Sequence, residues 1–254
     1  MTRFDDSELT CNEFLGGQVR LLQPATGYRA GIDPVLLAAN VPAKAGQSVL
    51  ELGCGAGAAI LCLSARVPRL RLVGVELQPA YADLARRNAE INGSDLAVIE
   101  ADLNDLPDEI RQRQFDHVIA NPPYYRAGAH SPANDIGRSI ALGEKTPLGN
   151  WITVAAKRLA PQGYLHIIQK ADRLPDMLSA CQGKLGSIEV LPLSARTGRE
   201  AELIILSARK SGRAAFRLHA PLILHAGERH EKDGESYTET VSAVLRHAAP
   251  LPRS

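Results

Sequence analysis

Residues 48–77 read SVLELGCGAGAAILCLSARVPRLRLVGVEL, and this stretch decides the fold. SVLEL (48–52) is an apolar run with one acidic residue, of the length of a strand buried on both faces. It stops at Gly53-Cys54-Gly55-Ala56-Gly57, whose glycines permit a tight strand-to-helix corner and close approach of backbone to a ligand. AILCLSARV (59–67) has a helical pattern, and RLVGVEL (71–77) is a second strand. Strand, glycine turn, helix, strand predicts a right-handed unit of a parallel sheet.

Working outward, PAYADLARRNAEIN (79–92) is helical, with Pro79 suited to a first turn. LAVIEAD (96–102) is a third strand, and FDHVIANPP (115–123) a fourth that stops at a double proline. PLGNWITVAAKRLAP (147–161) reads as a helix and GYLHIIQ (163–169) as a fifth strand. GSIEVLPLSA (186–195) and AELIILSAR (201–209) read as an antiparallel hairpin. The expected fold is α/β: a Rossmann-like, seven-stranded, mostly parallel sheet with a C-terminal antiparallel hairpin and helices on both faces. Residues 1–46 form an N-terminal extension of short strands and one helix starting near Asp33-Pro34, 47–212 the main domain, and 213–254 a C-terminal strand and helix completing it.

The chain has 254 residues, ample for one core, with 45% hydrophobic and 22% charged residues, an ordinary globular composition. Lys+Arg 29 against Asp+Glu 28 leaves a net charge of +1. That excludes a protein coated in positive charge, though not a local basic patch. The four cysteines form no C-x-x-C pair, which predicts reduced thiols and no zinc signature. MTRFDDSELT is no signal peptide, and no apolar run approaches the roughly 20 residues of a membrane span. A cytoplasmic protein without metal is the expectation.

Glu51, Gly53, Gly55 and Gly57 form an E-x-G-x-G-x-G pattern, while Gly53, Gly55 and Ala58 also fit a dinucleotide fingerprint. Glu76, ending the second strand, can grip ribose hydroxyls in either case, so a dehydrogenase and a methyltransferase are both open. Three features decide. A carboxylate at Glu51 repels a pyrophosphate but suits an ammonium group such as that of S-adenosylmethionine. Asp102 ends the third strand, where it can accept from an adenine amino group or cap the next turn. Asn121-Pro122-Pro123-Tyr124 ends the fourth strand, at the sheet end where open parallel sheets bind ligands. An exocyclic amino group is planar and weakly nucleophilic. The Asn121 oxygen and Pro122 carbonyl can each accept one of its N–H groups and aim its lone pair at a methyl donor. Tyr124 offers a face on which a base can stack.

ELGCGAG, GVELQPAYADLARRNAEIN, EADL and IANPPYY resemble the class I S-adenosylmethionine-dependent methyltransferases of the amino-group type. The flanks GGQVRLLQPATGYRAGIDPVLLAA and LILHAGERHEKDGESYT, with the doubled tyrosine, resemble the bacterial valine-tRNA adenosine-37 N6-methyltransferase family. The resemblance implies S-adenosylmethionine as cofactor, held by Glu51, Gly53, Gly55, Gly57, Glu76, Leu77, Asp102, Leu103, Asn121 and Asp33. It places catalysis at Asn121, Pro122 and Tyr124, and implies substrate contacts from Pro123, Tyr124, Tyr125, Arg126 and Arg196. Residues 27–33 would form a partial lid; Asp33, before Pro34, equally suits a helix N-cap.

A tRNA substrate needs cations for its backbone. Arg126, His130 and Arg138 follow the tetrapeptide, and Arg196, Arg199, Arg209, Lys210 and Arg213 lie on or near the hairpin. A protein glutamine N5-methyltransferase of release factors uses the same amino chemistry but usually carries a helical N-terminal domain, which residues 1–46 do not suggest. An rRNA or DNA amino-methyltransferase is a further alternative, and a non-catalytic scaffold on the same fold is disfavoured by the intact motifs.

Overall fold

The computed structural model describes residues 3–126, 143–144, 146–227 and 236–252. It opens with an antiparallel hairpin of β1 (Leu9–Phe14) and β2 (Val19–Pro24), followed by α1 (Asp33–Asn40). Next come β3 (Ser48–Leu52), α2 (Ala58–Arg66), β4 (Arg71–Glu76), α3 (Pro79–Ile91) and β5 (Leu96–Glu100). A single turn, α4 (Asp108–Arg111), precedes β6 (Phe115–Ala120) and the two-residue strands β7 (Tyr125–Arg126) and β8 (Gly143–Glu144). The chain continues through α5 (Leu148–Arg158), β9 (Leu159–Lys170), α6 (Leu174–Cys181), β10 (Leu185–Ser194) and β11 (Ala201–Lys210). Two further two-residue strands, β12 (Arg217–Leu218) and β13 (Leu222–Ile223), and α7 (Glu239–His247) complete it.

The seven expected strands lie in the order β5-β4-β3-β6-β9-β11-β10, parallel from β5 to β9, with β11 antiparallel to both neighbours. In place of the single C-terminal strand read from the sequence, β12 and β13 each pair with the edge strand β10, so the sheet counts nine. The segment read as helical to residue 161 is also corrected. The helix ends at Arg158, and β9 starts at Leu159. Pro161 explains this, because the residue before a proline is pushed out of helical conformation.

Alternation along the strands divides the core. Val49, Ile119 and Ile168 face one side with α1, α2 and α3; Leu50, Val118 and Ile167 face the other with α5 and α6. All five residues of β3 are buried, as expected of a central strand.

The N-terminal hairpin is fastened by two side chains one helical turn apart, Asn88 on α3 and Asn92 at its C-cap. The Asn88 amide accepts from Leu22 N at 2.7 Å and donates to the Leu22 carbonyl at 3.0 Å. Asn92 does the same with Arg20, at 2.9 and 2.7 Å. The two amides thus pair with alternate residues of β2 as a neighbouring strand would. Asn88, fully buried, also donates to the Ala56 carbonyl at 2.9 Å, tying the hairpin to the glycine turn.

Among the described residues no helix is long and apolar enough to cross a membrane, and no cluster of His, Cys, Asp and Glu could hold a metal ion. All four cysteines are free.

Candidate active site

The carboxyl ends of the parallel strands open into a cavity of about 340 Å³. Every residue expected to hold the cofactor lines it except Gly57, and so do Pro122, Pro123 and Tyr124. Gly57 stands behind the wall as the left-handed N-cap of α2, with φ 84°.

Glu51 is 2% exposed and its Oε2 accepts the N–H of Ile60 at 3.1 Å. Ile60 is the third residue of α2, whose glycine cap has no side chain to satisfy that group. The carboxylate thereby caps the helix, while no described donor reaches its other oxygen. Glu76 accepts Gly55 N at 2.9 Å on one oxygen and Gln78 N at 2.8 Å on the other. The Leu77 N–H also bonds this carboxylate, and since a carboxylate has about four acceptor sites, one remains for a ligand hydroxyl. Asp102 caps the turn after β5, Oδ1 accepting Asn104 N at 2.8 Å, and its exposed side chain still faces the cavity.

Asp33 is not the N-cap of α1; Ile32 holds that position. Instead its Oδ2 accepts the Tyr124 hydroxyl at 2.7 Å, joining residues 27–33 to the tetrapeptide. Burial raises the carboxyls of Asp33, Glu51 and Glu76 above the usual range. The Tyr124 bond opposes this at Asp33, backbone N–H bonds oppose it at the other two, and repulsion from Glu76 adds to it at Glu51. Three acids pressed into one cavity favour a ligand that brings positive charge.

Gly53 has φ +64°, and a Cβ there would lie 2.5 Å from Cη2 of Trp151. The buried indole of α5 rests on the glycine turn, lines the cavity, and donates to the Thr146 carbonyl at 3.3 Å. Asn121 lines the cavity with no side-chain partner among the described residues, so its amide is open to a ligand. The residues present therefore fit a ligand with a cationic end, vicinal hydroxyls and a flat ring.

The structure separates the expected cations. Arg196 and Arg199 lie in the β10–β11 turn, at the same end of the sheet as the cavity, because Leu203 pairs with Lys170. Arg196 lines no part of the cavity; it donates to the Ala226 and Gly227 carbonyls at 2.5 and 2.9 Å, holding the C-terminal segment. Arg209 pairs with Tyr164 toward the opposite end and donates to Gln162, and Lys210 donates to the Leu159 carbonyl. The side chains of Tyr125 and Arg126, and all of His130 and Arg138, lie outside the described residues.

Sequence reading overlooked Trp151, Gln169 and Arg29. Arg29 is exposed at the cavity rim, donating to Thr10 Oγ1 at 2.8 Å, the Pro24 carbonyl at 2.7 Å and Asn12 Oδ1 at 2.7 Å. No described carboxylate pairs with it. Nothing local marks these three; each acquires its place from a partner distant in sequence.

The fold is that of the class I S-adenosylmethionine-dependent methyltransferases. A predicted O-methyltransferase from Agrobacterium tumefaciens matches it with a TM-score of 0.69 at 26% identity, over 87% of this chain and 99% of that one. A T. thermophilus 16S rRNA N2 G1207 methyltransferase in complex with AdoMet and guanosine shares the fold, with a TM-score of 0.55 at 23% identity over 80% of this chain and 50% of that one. In sequence, the methyltransferase small-domain family matches residues 30–191. A tRNA1(Val) (adenine(37)-N6)-methyltransferase from Porphyromonas gingivalis is 34% identical over 221 residues, 85% of this chain and 82% of that protein. The chain belongs to this family of small-domain methyltransferases.

Proposed function

We propose that the protein transfers a methyl group from S-adenosylmethionine to N6 of an adenosine in a tRNA anticodon loop. The observation that carries the reading is Asn121-Pro122-Pro123-Tyr124 at the end of β6, lining the same cavity as the buried Glu51 and Glu76 and the half-buried Asp33. When bound, the cofactor supplies an electrophilic methyl group on a sulfonium centre. Glu51 and Asp33 hold its ammonium end, Glu76 its ribose hydroxyls and Asp102 its adenine amino group, with Leu77 and Leu103 packing beside the ring. Gly53 and Gly55 keep the turn clear of side chains.

Asn121 Oδ1 and the Pro122 carbonyl accept the two N–H groups of the target amine. That draws the nitrogen from planar toward tetrahedral and stabilises the positive charge developing on it. No strong base is needed, because an alkylated amino nitrogen sheds its proton readily to water. Tyr124 stacks the base, with its hydroxyl anchored on Asp33. Arg29 at the rim, and Arg199 in the β10–β11 turn at the same end of the sheet, meet the phosphates of the loop. A base in a loop leaves its stack at lower cost than one in a duplex.

The tRNA and the position come from the Porphyromonas relative's name, and a tRNA substrate supports a cytoplasmic location. The test is transfer of labelled methyl to unmodified total tRNA, a release factor and duplex DNA, with the tRNA digested to nucleosides. N6-methyladenosine is the expected product. Label confined to the release factor would overturn the tRNA reading, and an O-methylated nucleoside would overturn the amino chemistry.

A further inference from the structure

Gln169 is fully buried near the end of β9 and does not line the cavity. Its Oε1 accepts the Lys170 N–H at 2.9 Å, which turns the amide nitrogen toward the tetrapeptide. Nε2 donates to the Pro122 carbonyl at 3.4 Å and to the Pro123 carbonyl at 3.3 Å. The parallel register sets Ala120 against Ile167, so Gln169 stands level with Pro122. β6 has ended there, and no strand ladder orients these carbonyls. The two prolines have no N–H of their own with which to tether the segment.

We infer that Gln169 is a positioning residue for methyl transfer, holding the Pro122 carbonyl so that its second lone pair meets the target N–H. The inference rests on the reading of Asn121 and Pro122 as the pair that accepts the amine. A peptide carbonyl has two lone pairs. The Gln169 N–H takes one from behind the cavity wall, which restricts how the carbonyl can rotate and leaves the other aimed into the cavity. A side chain that only filled space at this position would need no donor.

The chemistry of the donor gives the test. Q169L removes it at similar volume. Q169E keeps the shape and donates an O–H only while its carboxyl is protonated; ionised, it sets a negative charge against two carbonyl oxygens. Burial raises such a carboxyl well above its ordinary value. Single-turnover transfer from labelled S-adenosylmethionine is measured for wild type, Q169L and Q169E from about pH 5.5 to about pH 8.5. The acceptor is whichever of tRNA, release factor or duplex DNA the wild type labels. Cofactor affinity is measured by calorimetry and folding by thermal melting at each pH.

The expected result is a Q169L rate about tenfold below wild type at every pH, with cofactor affinity within about twofold. The Q169E rate should match wild type at low pH and fall as pH rises, relative to wild type, while the protein stays folded. A Q169L rate equal to wild type overturns the inference, and decides the matter even if Q169E unfolds at high pH. Q169E and Q169L falling equally at all pH values also overturns it, because loss would then follow from substitution and not from a missing donor. A wild type that labels the release factor instead of tRNA overturns the substrate reading and leaves Gln169 to be judged on that acceptor. A wild type that labels none of the three overturns both.

Discussion

At the end of β6, Asn121 presents a side-chain amide that no described residue uses. Replacing it by alanine should leave cofactor affinity unchanged and lower the transfer rate by roughly 100- to 1,000-fold, the usual cost of losing one preorganised group at the reacting centre. Calorimetry beside single-turnover kinetics checks this; a parallel fall in affinity and rate would make Asn121 part of the scaffold. Arg29 has five N–H donors, three of them used by neutral oxygens, so two remain on a fixed cation. Arg29→Ala should weaken tRNA binding and make the slope of log affinity against log salt shallower by about 0.7. A salt titration with an unchanged slope would remove Arg29 from the RNA surface. The Asn121-Pro122-Pro123-Tyr124 motif was legible because its residues are contiguous. Arg29 was not, because its place at the rim depends on β1 and β2 lying beside it.

Among the elements, the N-terminal hairpin depends on α3 more than on its own length. Asn88→Ala would leave the Leu22 N–H and the Leu22 and Ala56 carbonyls without their partner in a buried setting. A loss of about 3 kcal/mol is expected, read from the denaturant midpoint, with Asn92→Ala, at a more exposed site, costing less. Equal losses for both would show that burial does not govern the attachment. The repeated Asn in NAEIN stood in plain view in the sequence, but helix periodicity says only that residues 88 and 92 share a face. It does not say that a strand edge lies opposite. The end of α5 and the start of β9 were misread for a related reason: apolar residues around Leu159 suit a buried helix and a buried strand alike.

Across the whole molecule, the ligand cavity concentrates like charge. The folded-state values of Glu51 and Glu76 lie above the ordinary 4.5, and that of Asp33 lies above 3.8. The folded state therefore binds more protons than the unfolded chain between those ordinary values and the raised ones. Stability in the absence of ligand should fall as pH rises through that window and level off above it. A cationic ligand meets ionised partners only at the upper end, so the gain in melting temperature from S-adenosylmethionine should grow with pH. Melts with and without the cofactor test this, and a gain independent of pH would break the link between the acids and the ligand. Glu51→Gln should flatten the dependence.

The sequence by itself determined the layers, the order of strand and helix, the glycine turn, and the place of Asn121 to Tyr124 at the ligand-binding end of the sheet. Each of these is written in residues close together along the chain, through periodicity, glycine conformation and a contiguous motif. The tertiary structure alone decided that Asp33 binds Tyr124 and not the helix end, and that Glu51 caps α2 while facing the cavity. It also decided that Trp151 rests on Gly53, and that Arg209 and Lys210 lie away from the site. Strand register and crossover bring such pairs together across tens of residues, and no local pattern encodes which side chains will meet.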